Sequence, residues 1–129
     1  MVILQVYQRQ LEIARQKFGD IVSEGEILYT ESKEPLKLRL SIVDGSIVDV
    51  FYSSRGKYSY HRDRRIINGT IYRHDNAPHN RWKKIKTFPK HFHQETEYNV
   101  KESYISADPL FAIEGFLEFV KSVLIENGQ

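Results

Sequence analysis

Two turn signals, Asp44-Gly45 and Asn68-Gly69, sit between runs of alternating apolar and polar residues, and together they constrain this chain more than any other feature. Alternation is the period of a half-buried strand, and a short Asp-Gly or Asn-Gly turn between two such runs folds them into an antiparallel hairpin. Leu36-Lys37-Leu38-Arg39-Leu40-Ser41-Ile42 enters the first turn, and Ile47-Val48-Asp49-Val50-Phe51-Tyr52 leaves it. A two-residue turn would set Leu40 against Asp49 and Leu38 against Phe51. A three-residue loop, Val43 to Gly45 with Gly45 left-handed, sets Leu40 against Val48 and Leu38 against Val50. That register keeps apolar residues together and is the one expected. Tyr58 to Ile67 and Thr70 to His74 read as a second hairpin around Asn68-Gly69. A two-residue turn there opposes Ile66 to Ile71, Arg65 to Tyr72, Arg64 to Arg73 and Asp63 to His74. Directly opposed arginines repel, so this pairing calls for either a shifted register or a bound anion.

With a further strand near Glu26–Glu31, these runs predict an antiparallel meander of about five strands. Ile3, Tyr7, Leu11, Ala14 and Phe18 mark one stripe of a helix from about Ile3 to Phe18, stopped by Gly19. Val2, Val6 and Ile13 lie off that stripe and leave an opening strand as the alternative. Asp108-Pro109 is an N-cap followed by proline at the first helical position. Leu110, Ile113, Phe116, Leu117, Val120, Val123 and Leu124 continue as a broad apolar face, and Asn127-Gly128 ends the helix. The expected fold is α+β, a single domain over 1–129. A curved antiparallel sheet is packed on one face by the N- and C-terminal helices, with Lys37 and Arg39 on the other face. The 129 residues suit one modest core.

The chain has no Cys, which excludes disulfide scaffolds, thiolate metal sites and cysteine nucleophiles. No apolar run approaches the ~18 residues of a membrane span, and Met1-Val2-Ile3-Leu4 lacks the basic start of a secretory signal. A cytoplasmic protein is expected. The formal net charge of +2 conceals a separation. From Arg55 to His93 there are eleven Lys/Arg against two Asp, a net +9; elsewhere eight stand against fifteen acids, a net −7. All five His lie in the basic block. A polyanion partner is the first reading, and a merely solvated basic face the second.

Two segments do not look like folding punctuation: His74-Asp75-Asn76-Ala77-Pro78-His79, and Thr87-Phe88-Pro89-Lys90-His91-Phe92-His93. They bound a long irregular connection, the kind that is usually functional. His79, His91 and His93 are candidate general acids or bases near neutral pH. Arg64, Arg73, Arg81, Lys83 and Lys90 are candidates to hold phosphate, and Trp82 to stack an unpaired base. Metal-independent RNA cleavage needs one group to take the 2′-OH proton and another to protonate the leaving oxygen, and no cofactor is then expected. A metal reading competes: His91 and His93, at i and i+2, lie on one side of a strand, and His79 or Asp75 would complete a three-ligand set. The plainest alternative makes Asp75-Asn76 an Asx turn, Pro78 and Pro89 loop stiffeners, and Trp82, Phe88 and Phe92 core. No phosphate-binding glycine loop, zinc-protease helix or nucleophile elbow is present.

Tyr72-Arg73-His74-Asp75-Asn76-Ala77-Pro78-His79 and Lys86-Thr87-Phe88-Pro89-Lys90-His91-Phe92-His93, in that order and followed by a short C-terminal helix, resemble the TumE-type toxins of toxin–antitoxin modules. The resemblance covers about the last three quarters of the chain. It implies the toxin of a type II module, partnered and neutralised by a helix-turn-helix antitoxin of the Xre type. Toxins of such modules usually act on RNA or on translation, which makes an endoribonuclease the leading expectation. The alternatives are a non-catalytic nucleic-acid-binding or interaction protein and a metal-dependent hydrolase. Whether two copies form a homodimer is left open. The basic Arg81-Trp82-Lys83-Lys84 stretch departs from what the resemblance would lead one to expect between the motifs.

Overall fold

In the computed structural model, which describes residues 1–126, the chain runs α1 (Ile3–Lys17), β1 (Val22–Tyr29), β2 (Pro35–Ile42), β3 (Ile47–Tyr52), β4 (Tyr58–Arg64), a helical turn α2 (Arg65–Asn68), β5 (Thr70–Asp75), a 3₁₀ turn (Asn80–Trp82), β6 (His91–Glu95), β7 (Val100–Glu102) and α3 (Pro109–Glu126). The strands form one open antiparallel meander in the order β1-β2-β3-β4-β5-β6-β7. The α+β class and the two packing helices match expectation. The sheet has seven strands instead of about five. The two additions come from the segment read as an irregular connection: β6 carries the His91-Phe92-His93 alternation, and β7 pairs with it beyond the Thr96–Asn99 turn. Strand β1 also begins earlier than read, at Val22.

Both helices cover one face of the sheet. Tyr7, Ala14 and Phe18 of α1 and Ile113, Phe116, Leu117 and Val120 of α3 pack against Leu38, Leu40, Val48, Val50 and Tyr60, all nearly inaccessible. Gly25 permits this closeness, because a Cβ there would overlap Leu11 Cδ1. Gln10, buried within the α1 stripe, donates from Nε2 to Tyr60 Oη at 2.9 Å and to the Pro109 carbonyl at 3.0 Å, tying both helices to the sheet. Asp108 caps α3 as expected, accepting from the Leu110 amide at 2.8 Å. The expected stop at Asn127-Gly128 lies outside the described residues.

The first hairpin has the expected register, Leu38↔Val50 and Leu40↔Val48, and Gly45 has φ +91°. The second does not. Arg64 pairs with Thr70, Arg62 with Tyr72 and Tyr60 with His74, a three-residue shift from the two-residue turn, and α2 with Gly69 at φ +80° spans the gap. The shift places Tyr72 and His74 beside Arg62 and Tyr60 on the side packed by α3. Arg62 and Arg64 follow Tyr60 on the helix-covered face, where the Asp44 carboxylate from the first hairpin meets both at 2.9 and 3.3 Å. Arg64 therefore never faces Arg73. On the open face Lys37 and Arg39 appear as expected, both paired with Asp49.

Candidate functional site

Alternation along β5 and β6 decides which side chains reach the open face. Tyr72, His74 and Phe92 turn toward α3, with ring contacts to Phe116 and Phe119. Arg73, Asp75, His91 and His93 consequently point the other way. The register Asp75↔His91 and Arg73↔His93 sets these four as two cross-strand neighbours. They floor a cleft of about 590 Å³. The connection 76–90 folds over one side of it. Its 3₁₀ turn brings Trp82 over the imidazoles, ring centroids 6.2 Å from His91 and 6.1 Å from His93. Arg81 lies over the Trp82 ring at 5.3 Å. Phe51, Lys57, His79 and the exposed Tyr98 complete the walls and rim.

Each floor group is held at more than one point. His91 Nδ1 lies 2.8 Å from the Pro89 carbonyl oxygen, and His93 Nδ1 lies 2.9 Å from that of Glu97. Their Nε2 atoms face Asp75, His91 at 3.1 Å from Oδ1 and His93 at 3.6 Å from Oδ2. Asp75 Oδ1 also accepts from the Ala77 amide at 3.0 Å, and Oδ2 from Arg73 Nε at 3.1 Å. Arg73 in turn bonds Glu97 through both terminal nitrogens, at 3.0 and 2.6 Å. Burial works to raise the Asp75 carboxyl, but His93, the Ala77 amide, His91 and Arg73 outweigh it and hold it at about 2. The two imidazoles are 1% and 4% exposed. Their exposure to substrate is confined to the cleft.

The sequence-predicted residues therefore divide. Asp75, His91, His93, Arg73, Asn76, His79, Arg81 and Trp82 line one cleft. Asn76 acts locally: its Oδ1 accepts from the Tyr58 amide and its Nδ2 donates to the Gly56 carbonyl, pinning the start of the connection to the β3–β4 turn. Pro89, after a cis peptide, supplies the carbonyl that orients His91, while Pro78 is exposed. Three expected phosphate contacts lie elsewhere. Arg64 is buried with Asp44. Lys90 is turned beneath the connection, donating from Nζ to the Ile105 carbonyl at 2.6 Å. Lys83 is exposed outside the cleft. Phe92 packs toward α3, as its apolar ring suggests. Lys57, Phe51, Glu97 and Tyr98 were not singled out from the sequence. The Thr96–Asn99 turn that presents Glu97 and Tyr98 follows only once β6 and β7 are recognised as a hairpin.

An open antiparallel sheet, helices on one face and a walled cleft floored by ionisable side chains on the other, defines a small α+β protein with a built site on its uncovered face. Residues 10–124 match the family described as Toxin TumE, and the chain belongs to that family. Membership makes it the toxin of a toxin–antitoxin module, with an antitoxin as partner. No curated protein and no solved structure matches it. Among the described residues no helix is long and apolar enough to cross a membrane.

Proposed function

We propose that this chain is a type II toxin that acts on RNA in the cytoplasm, taking a single-stranded segment into the cleft and breaking its backbone over the Asp75–His91–His93 floor. One observation carries the reading: two imidazole Nε2 edges and a carboxylate converge at the base of a cleft whose rim is basic and aromatic. Trp82 and Tyr98 offer faces on which unpaired bases stack. Lys57 and Arg81 stand at the rim with no ion pair among the described residues, and either can meet a phosphate. Arg73, committed to Asp75 and Glu97, positions the floor carboxylate instead. His79, exposed at the rim, keeps the proton-carrying role read from the sequence. The family resemblance supports an antitoxin of the helix-turn-helix, Xre type that neutralises the chain by direct binding.

The test is to incubate the purified protein with total RNA and with an end-labelled single-stranded oligonucleotide. Wild type is expected to release discrete fragments. His91→Ala and His79→Ala should each slow cleavage by about 10²–10⁴-fold. Salt-sensitive binding with the RNA left intact would replace this reading with a non-catalytic binding protein. Variants that cut as fast as wild type would remove these residues from the reaction.

A further inference from the structure

The floor is arranged to receive a cation. A carbonyl oxygen only accepts, so the Pro89 and Glu97 carbonyls require a hydrogen on each Nδ1. A neutral imidazole with its hydrogen on Nδ1 presents a bare lone pair at Nε2. Both lone pairs then face Asp75, an acceptor, at 3.1 and 3.6 Å. Acceptor against acceptor is repulsive until positive charge lies between them. A proton on His91 would bridge the shorter gap, whereas His93 at 3.6 Å is placed for charge pairing with Oδ2 and not for a well-formed hydrogen bond.

A single metal ion resolves the same geometry. Ligands about 2.0–2.1 Å from one ion are separated from each other by about 3.0–3.4 Å; His91 Nε2 and Asp75 Oδ1, at 3.1 Å, already have that spacing, and His93 Nε2, 3.6 Å from Oδ2, needs to close on the ion. The three ligand atoms lie within 4.8 Å of one another. Their surroundings are those of metal ligands. Each imidazole gives its Nδ1–H to a main-chain carbonyl, which fixes tautomer and ring orientation, while Arg73 holds Asp75 Oδ2 and the Ala77 amide holds Oδ1, so the carboxylate is oriented and each oxygen keeps a lone pair for an ion.

We propose that Asp75, His91 and His93 form a binding site for one divalent first-row transition metal, with Zn²⁺ the ion best suited to two imidazoles and a carboxylate. The remaining coordination positions open into the cleft, where the ion acts as a Lewis acid toward a phosphoryl or carbonyl oxygen. His91 and His93 are then ligands in place of the metal-free acid and base expected from the sequence. The site rests on these side chains alone and does not require RNA to be the substrate.

Chelator-stripped, untagged protein titrated calorimetrically with ZnCl₂ should bind one equivalent, about micromolar or tighter. Co²⁺ should bind at the same site with visible d–d absorption that Zn²⁺ abolishes. His93→Ala and Asp75→Asn should weaken Zn²⁺ binding at least about 100-fold, whereas His79→Ala should not change it. Should those variants unfold by circular dichroism, histidine ring ¹⁵N spectra of the wild type decide: Zn²⁺ must move the Nε2 resonances of two histidines while their Nδ1 atoms stay protonated. No saturable binding of either metal, or unmoved Nε2 resonances, overturns the site. Metal bound with RNA left whole keeps the site and rejects the RNA reading. RNA cut by protein that binds no metal does the reverse.

Discussion

Replacing Asp44 by Asn tests how much a buried charge cluster, which ties the β2–β3 turn to β4, stabilises the sheet on which the cleft depends. Asp44 Oδ2 meets Arg62 Nη2 at 2.9 Å and Arg64 Nη2 at 3.3 Å, and the three side chains are 3%, 0% and 1% exposed. Oδ1 accepts from the amide and the hydroxyl of Ser46. Asn keeps the shape and an acceptor for Ser46, but it removes the carboxylate that meets both guanidinium groups. Stripping one partner from a buried pair typically costs about 3–5 kcal/mol, because the remaining charge stays desolvated. Arg62, with no side-chain exposure, loses its carboxylate, so a loss within that range is expected.

The assay is urea unfolding followed by circular dichroism. With a urea slope of about 1–3 kcal/mol per molar, the midpoint should fall by more than about 1 M. Adding Arg62→Met to Asp44→Asn should recover part of the loss, giving a coupling of about 1–3 kcal/mol. The pH dependence has a definite sign. Burial works to raise the Asp44 carboxyl, but Ser46, Arg62 and Arg64 more than offset it and the net shift is downward. A carboxyl lowered in the folded state stabilises above the ordinary carboxylate range, and that stabilisation is lost as pH falls through it. The Asn variant should therefore lose less stability on acidification than wild type. An Asp44→Asn protein within about 1 kcal/mol of wild type would refute the reasoning.

The rim cations and the buried tyrosines carry further expectations. If Lys57 and Arg81 each meet one phosphate, log affinity for single-stranded RNA should fall against log salt with a slope of about −1.4, and Arg81→Ala should reduce that slope by about 0.7; an unchanged slope removes Arg81 from the contact. Burial pushes Tyr52 and Tyr58 from 10.0 up to about 12, and raises Tyr60 as well. Acids raised in the folded state stabilise below their unfolded pKa and lose that contribution as pH climbs, so stability should decline above pH 10. Tyrosinate absorbance should show these three ionising above pH 10, and their ionisation at or below it would contradict the packing around Gln10 and Tyr60.

Much of the fold was legible because local chemistry and burial agree. The first hairpin's register follows from matching Leu38 and Leu40 to Val50 and Val48, and α3 from its Asp108 cap and apolar face. The second hairpin was misread because Asn68-Gly69 is a strong turn signal in isolation. The buried arginines of β4 pair instead with Asp44 of a different hairpin, and no local pattern reveals that pairing. Strand β6 was visible as alternation in His91-Phe92-His93 but was absorbed into a long connection because β7, its only partner on that side, is three residues long.

The site was legible as a set of side chains and illegible as a geometry, and charge shows why. That His91 and His93 share a side follows from strand alternation; that Asp75 lies between them follows only from the β5–β6 register. The basic block was counted as surface, yet Arg62, Arg64, Arg65 and Arg73 are matched to Asp44, Asp63, Asp75 and Glu97. Two of those carboxylates, Asp44 and Glu97, lie outside the block, so a charge counted along the chain overstates the charge facing solvent. The alternation Tyr60-Arg62-Arg64 already points two of these arginines toward the helix-covered face. Subtracting such inward cations first leaves Lys57, Arg81, Lys83, Lys84 and Lys86 as the exposed cations of the cleft rim and its connection. It is these residues, and not the block total, that a polyanion would meet.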